Sequence, residues 1–586
     1  MENEQKMPGV RTMALTGFGA ALLLKIVVGG QMVAVIGAAQ LVAIIVSGLT
    51  GFGLGWIMSP SARKFRIAAL VAISALLLLL GIGDARPAGI SITTLGCILA
   101  FFAALFYWIG GMVRGLSRPP TTFGSAEWAT LPYLEEHGVV GSTGFRLGGF
   151  ATEGAIKPLH YEGDRHALTI APTRAGKGVS AIIPNLLSYR GSVLVVDPKG
   201  ENAMITANHR HAMGQDVHIV DPWGITGANV LARFNPLDWL VEGDADIAEN
   251  AMLLADALVV PDGKGEGFWD EEAKAYLQGN ILYVATDPRE AGCRHLGRVR
   301  DLMLLDGDDL KALYQRMLES PHHLVVSTGA RCLQKEERLL SNVIASAQSH
   351  THFLDSARMR ESLSASDFSF DALKTKPMSI YLVLPSDRLN AFNRWLRLLI
   401  QQAITVNARN IAVMPDKPVL FLLDEMPALG RLTMVEQAFG LMAGFGIQLW
   451  GIVQDVSQLK SIYGEGWETF IGNSGMIQYF GSRDRMTAEY FQALCGVTTV
   501  WNLSSAIARA FSTSSGQGGI STSSSTTTTE TTAASQRQLA YADELMRMHR
   551  TKQLILIENL NPIIGTKVPW FKDDALKHLG VNLHVK

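Results

Sequence analysis

Residues 166–188, HALTIAPTRAGKGVSAIIPNLLS, place a short apolar strand, a turn holding Gly176 and Lys177, and a helix-forming run in direct succession. No other stretch constrains the fold as much. A strand that feeds a helix through a glycine turn belongs to an open α/β sheet, where the helix N-terminus offers N–H groups and a positive dipole end to an anion. The full phosphate-loop pattern is G-x-x-x-x-G-K-[ST]. Here Ala171 stands at the first Gly position, and Gly178 stands where a Ser or Thr would hold Mg²⁺. Taken alone, the stretch is either a nucleotide site or a glycine turn, with its helix interrupted or bent at Pro184.

The chain beyond the loop repeats the same grammar. Apolar, β-branched runs at Ser192–Asp197 (SVLVVD), Ser379–Pro385, Pro418–Glu425 (PVLFLLDE) and Gly446–Gln454 alternate with helical segments. Continuous apolar strands between helices predict a parallel sheet covered on both faces. PVLFLLDE ends in Asp424 and Glu425, at the strand end where ligands sit in open α/β sheets. An Asp there can hold the shell of a magnesium ion, and the adjoining Glu can polarise an attacking water. Gln454, at the next strand end, either senses a γ-phosphate and orients water or caps a turn. Asp197 and Lys199 lie at a further strand end. Between 235 and 366 the strand signal gives way to apolar residues at helical spacing, which predicts an all-helical domain inserted in the sheet. Residues 511–536 are Ser/Thr/Gly-rich and predict a flexible loop, because such a composition buries too little apolar surface to order itself.

The first 118 residues differ from the rest. Four apolar stretches, Thr12–Val28, Met32–Met58, Ile67–Gly83 and Ile92–Val113, approach the ~20 residues that cross a bilayer as a helix. Arg63, Lys64 and Arg66 make the middle break basic, and Arg114 and Arg118 follow the last stretch. The positive-inside rule then predicts a four-helix transmembrane anchor in contact with lipid, with both ends, the middle loop and the remainder of the chain in the cytoplasm. Four widely spaced Cys fit neither a disulfide framework nor a zinc site. A formal net charge of −2 excludes a globally basic DNA-binding surface. The basic runs Cys293–Arg300 and Met548–Lys552 remain either local nucleic-acid contacts or solvated faces.

Seven stretches in order carry a resemblance: FGSAEWAT, APTRAGKGVSAIIPNLL, GSVLVVDPKGE, FNPLDWL, PVLFLLDEMPALGRL, AGFGIQLWGIVQDVSQL and GNSGMIQYFGSRDRMTAEYFQALCG. Together they resemble the TraG-like (VirD-type) coupling proteins of conjugation and type IV secretion. The resemblance implies a RecA-like P-loop nucleotide-binding domain with an inserted all-helical domain, behind a multi-pass transmembrane anchor in a bacterial inner membrane. The divisions are then 1–118 anchor, 119–234 first part of the nucleotide domain, 235–366 helical insertion, and 367–586 the remainder. It implies ATP and Mg²⁺ as cofactors and assembly into a homo-oligomer, a hexamer. The implied partners are a DNA–relaxase complex or effector proteins, and the components of the secretion channel. Carried over, Lys177 binds phosphates together with Thr173, Arg174, Ala175, Gly176, Gly178 and Val179 around it. Asp424 holds Mg²⁺ through water, Glu425 is the catalytic acid, and Gln454 assists. The family tolerates GKG, and water on Asp424 or the Ser180 hydroxyl would replace the missing ligand. Arg483 and Arg485 are the candidates for an arginine finger. Two functions stay open: an ATP-driven motor, and a membrane receptor or scaffold that nucleotide merely stabilises.

Overall fold

The computed structural model describes residues 38–58, 71–72, 92–117, 123–141, 143–260, 267–516 and 519–583. The chain divides into two compact units, one of Met1–Ser125 with Thr498–Arg537 and one of Ala126–Val497 with Gln538–Lys586.

The larger unit is built on an eleven-stranded sheet in the order β2-β1-β13-β12-β9-β3-β8-β7-β4-β6-β5. The strands are β1 (Phe145–Thr152), β2 (Ala155–Tyr161), β3 (His166–Ile170), β4 (Val193–Asp197), β5 (Asp216–Val220) and β6 (Met378–Val383). They continue with β7 (Val419–Leu423), β8 (Ile447–Val453), β9 (Ser474–Tyr479), β12 (Lys552–Ile557) and β13 (Ile563–Thr566). From β9 through β5 every pairing is parallel. From β9 outward, β12, β13, β1 and β2 pair antiparallel.

Alternation along the central strands explains why they read as continuous apolar runs. In β4, Leu194 and Val196 join one buried cluster, while Val193 and Val195 join the cluster on the opposite face. In β7, Phe421 and Leu423 face one way, and Leu420 and Leu422 the other. A strand buried on both faces has no polar side. The helix Leu389–Arg409 lies in the first cluster and is buried almost throughout its length from Trp395 to Ala408. Its buried Arg397 donates to the carbonyls of Ala257, Leu429 and Arg431, at 3.1, 2.8 and 2.8 Å.

Between β5 and β6 the described residues form helices and no strand, the main ones being Ile247–Leu258, Gly267–Thr286, Leu296–Met303, Gly307–Leu318, His323–Gln334 and Glu337–Thr351. The segment leaves and rejoins the sheet at one place. Phe234 N donates to Ser362 O at 2.9 Å, and Asn235 N to Ser366 Oγ at 3.0 Å. Its apolar side chains, such as Leu254, Leu277 and Leu313, share one cluster with β4 and β7. The helices therefore extend the core of the sheet and do not form a separate compact unit.

Two expectations are corrected. Thr12–Val28, and all of Ile67–Gly83 except Val71 and Ala72, lie outside the described residues. The other two apolar stretches form the helices Ala38–Met58 and Ile92–Ser117. These pack at backbone distance: a Cβ on Gly51 would clash with Ala103 O, and one on Gly55 with Tyr107 O. Among the described residues, no helix is long and apolar enough to cross a membrane. Ser47, Thr50 and four glycines dilute the first helix. The multi-pass inner-membrane topology, the 1–118 anchor and the lipid contact that went with it are not supported.

The second correction concerns the Ser/Thr-rich loop 511–536. The backbone of Val497–Gly516 (β10) and Gly519–Gln538 (β11) pairs as a separate two-stranded sheet. Thr is β-branched and suits a pleated ladder, and cross-strand bonds satisfy the backbone without an apolar core.

Candidate functional site

The parallel strands β3, β8 and β7 are neighbours, so their C-terminal ends share one edge of the sheet. The residues that follow them are the loop 171–177, Gln454, and Asp424 with Glu425. The loop strand and the acidic strand are thus separated by β8 alone, and side chains of ordinary length can meet across it.

They do meet. Lys177 Nζ lies 2.8 Å from Asp424 Oδ1 and donates to Glu425 Oε1 at 2.5 Å. Gln454 Nε2 donates to Glu425 Oε2 at 3.3 Å. Four sequence-predicted residues therefore form one chain of contacts, drawn from three strand ends. Burial alone would lower the Lys177 pKa, but Asp424 and Glu425 reverse this and hold it raised. Burial raises the Asp424 carboxyl, and Lys177 opposes that. The two directions disagree about the pair. The 2.8 Å contact favours the charged form, so we read Asp424 as ionised against Lys177. Its Oδ1 has the lysine close by but no aligned hydrogen bond, which leaves a lone pair available to a water or a cation.

The loop has the backbone of an anion nest. Arg174 sits at φ 65° and Gly176 at φ 92°, both in the left-handed region. Left-handed residues set among right-handed ones turn successive N–H groups toward one point. Thr173 and Arg174 are exposed, and Ala175, Gly176, Lys177, Gly178 and Val179 half-buried, so the loop opens to solvent. Glu425 is also left-handed, at φ 58° and ψ 44°. Only a few non-glycine residues adopt that conformation, and they concentrate where geometry serves a function. Here it turns the Glu425 carboxylate back toward Lys177 and Gln454.

After Lys177 the chain forms a π-helical turn, Gly178–Ile182, and then the helix Ile183–Ser188 with Pro184 in its first turn. The bend expected at Pro184 is a change of helix type at its start. A Cβ on Gly178 would meet nothing within 4 Å, so space does not forbid a hydroxyl there. Ser180, two residues on, is buried.

These residues fit the phosphates of a nucleotide with Mg²⁺: a nest of N–H groups, a lysine held at its mouth, and a carboxylate oxygen without an aligned partner. Lys177, with the amides of 173–179, would hold phosphate oxygens. Asp424 would hold the metal through water.

Other candidates take different places. Asp197 is buried and accepts from Ala203 N at 2.9 Å and from Lys199 N at 3.4 Å. Burial pushes its carboxyl up to about 7. It serves as the cap of the turn into the helix Glu201–Ala212, while Lys199 is exposed. Arg485 pairs with Glu489 four residues on, its side chain 83% exposed; Arg483 is also exposed. Neither contacts the acidic pair. In the first basic run, Arg298 and Arg300 bind Glu290 and Asp355. One residue next to the loop escaped the sequence reading: Lys567, whose Nζ donates to Ala175 O. A single Lys some 390 positions from the loop has no motif to announce it.

Comparison with known proteins gives an independent result. Residues 132–585 match the profile of a family described as "Type IV secretory system Conjugative DNA transfer". The chain is similar to "Conjugal transfer protein TraG" of Escherichia coli, 31% identical over 382 residues, covering 61% of this chain and 59% of the relative. It is similar to "Protein VirD4" of Rhizobium radiobacter, 29% identical over 435 residues, covering 71% and 58%. The matches thus span about three-fifths of the length of these relatives. Among solved structures, "Bacterial conjugative coupling protein TrwBdeltaN70" in an unbound form aligns with a TM-score of 0.54 at 15% identity, over 74% of this chain and 96% of that one. "Plasmid coupling protein TrwB in complex with ADP and Mg2+" aligns at 0.55 and 15%, over 76% and 94%. At that identity the likeness is one of fold.

Proposed function

We propose that this chain, which belongs to the type IV secretory system conjugative DNA transfer family, is an ATP-hydrolysing coupling protein. It recruits a DNA–relaxase complex or effector proteins and delivers them to a secretion channel. We read it as working in a homo-oligomeric ring, a hexamer, with the helices of 235–366 as an inserted domain that meets substrate. The observation that carries the motor reading is the Lys177–Asp424–Glu425–Gln454 chain. A protein that only bound nucleotide would have no need of a carboxylate held beside the phosphate position.

Each residue then has a task. Lys177 and the loop amides fix the phosphates, and Asp424 would hold through water a Mg²⁺ ion that would supply charge to offset theirs. Glu425, released from Lys177 when phosphates take that lysine, accepts a proton from the attacking water. Gln454 keeps the Glu425 carboxylate oriented. The scaffold reading has one observation in its favour, Gly178, which supplies no hydroxyl to the metal.

Two substitutions separate the readings. Lys177→Ala removes the phosphate-binding charge, so nucleotide binding, turnover and transfer should all fail while the fold survives. Glu425→Gln keeps size and polarity but removes the base, which commonly costs ~10²–10⁴-fold in rate. A motor loses transfer with either change. Normal transfer by a Glu425→Gln protein that binds ATP without hydrolysing it would exclude the motor.

A further inference from the structure

Lys567 follows β13 and is only 7% exposed. Its Nζ donates to Ala175 O at 3.2 Å and to Phe480 O at 3.2 Å, and stands 4.3 Å from the centre of the Phe480 ring. Phe480, directly after β9, donates its own N–H to Ile170 O at 2.9 Å, at the end of β3 where the loop begins. One ammonium thus ties together the ends of three strands around the phosphate loop. Its partners are two carbonyls and a ring, and burial pushes its pKa down to about 8. A buried cation without an anion carries a desolvation cost that neutral acceptors offset only in part.

The position of the contact gives that charge a use. In a trans peptide the C=O and the following N–H point in opposite directions. A cation that holds the Ala175 carbonyl therefore turns the Gly176 N–H the other way, and Gly176, at φ 92°, sits within the nest. The same contact polarises the peptide and makes that N–H a stronger donor.

We propose that Lys567 is a positioning residue for phosphate binding. It aims the Gly176 N–H and adds a second fixed positive charge to the loop, beside that of Lys177. The phosphates of a nucleoside di- or triphosphate then offset a charge that has no counter-ion among the described residues. This rests on the nucleotide reading above, but assigns the C-terminal strand a part in it that no loop motif contains.

A purely structural lysine and this one respond differently to replacement. The test uses the full chain with Lys567→Met and Lys567→Arg, titrated calorimetrically with ADP and Mg²⁺ and melted with and without ADP. Lys567→Met should bind ADP about tenfold more weakly, or about 1.4 kcal/mol, while the free protein melts no lower than the parent. Lys567→Arg keeps the charge and should stay within about threefold of parent affinity. Parent-like ADP affinity in Lys567→Met would overturn the proposal, and so would a marked loss of stability or failure to fold in that variant. A parent protein that binds no ADP would remove the nucleotide reading itself, and this inference with it. ADP binding by the parent with no change in Lys567→Met removes the inference alone.

Discussion

At the scale of single residues, the site turns on where Glu425 is held. Its left-handed backbone costs about 1–2 kcal/mol for a residue with a Cβ, and Lys177 and Gln454 supply the contacts that fix the carboxylate there. In the proposed function Lys177 turns to phosphate, which leaves Gln454 as the partner of Glu425 when nucleotide is bound. Gln454→Ala should therefore lower turnover about 10–100-fold through loss of orientation, with nucleotide affinity nearly unchanged. Steady-state kinetics together with ADP titration check this, and a parallel fall in affinity would place Gln454 in binding. Sequence reading found Gln454 from its strand end but could not choose between a turn cap and a catalytic partner. The side-chain bond to Glu425 decides for a contact with the acidic pair. Asp197, which sequence reading placed at a further strand end without a role, has a different fate. Its carboxylate is occupied by the amides of its own turn.

At the scale of elements, the β10–β11 ladder differs from the strands of the main sheet. Its Ser and Thr side chains are small, and a two-stranded ribbon is marginal on its own in water. Deleting Ser512–Ser535 should leave the melting temperature of the protein within a few degrees, because little apolar area can be lost with such side chains. A fall of ten degrees or more would mean that the ribbon packs on something beyond itself. Composition marked this segment as poor in core-forming residues, which holds. What composition could not show is that Thr-rich chain can satisfy its backbone by pairing as well as by hydration. The helices Ala38–Met58 and Ile92–Ser117 make a related point. Their apolarity is visible in the sequence, but glycines bring their backbones together, and among the described residues no helix is long and apolar enough to cross a membrane.

At the scale of the whole molecule, the order of the sheet is not the order of the chain. The late strands β12 and β13 stand between β9 and the early pair β1–β2, so the first strands reach the sheet only through the last. A chain ended after Gly496 keeps every residue of the Lys177–Asp424–Glu425–Gln454 chain. It should nevertheless fail to fold or to bind ADP, because β1 loses its partner β13 and the loop loses Lys567. Circular dichroism and ADP titration of that truncation test the claim; full ADP affinity would show that β12 and β13 are accessory.

The sequence alone determined the parallel α/β character and marked the glycine turn and the acidic pair as candidates, because each is written in contiguous residues: apolar runs, a Gly–Lys turn, a carboxylate at a strand end. It also marked 235–366 as helical, from periodicity within single helices. Only the tertiary structure decided which strand ends adjoin. It placed Gln454 on Glu425 and brought Lys567 behind Ala175. Those contacts join residues from about 30 to nearly 400 positions apart, and local patterning carries no information about them. Spatial neighbourhood across a sheet is set by strand order, and strand order is fixed by how the two faces bury their side chains together.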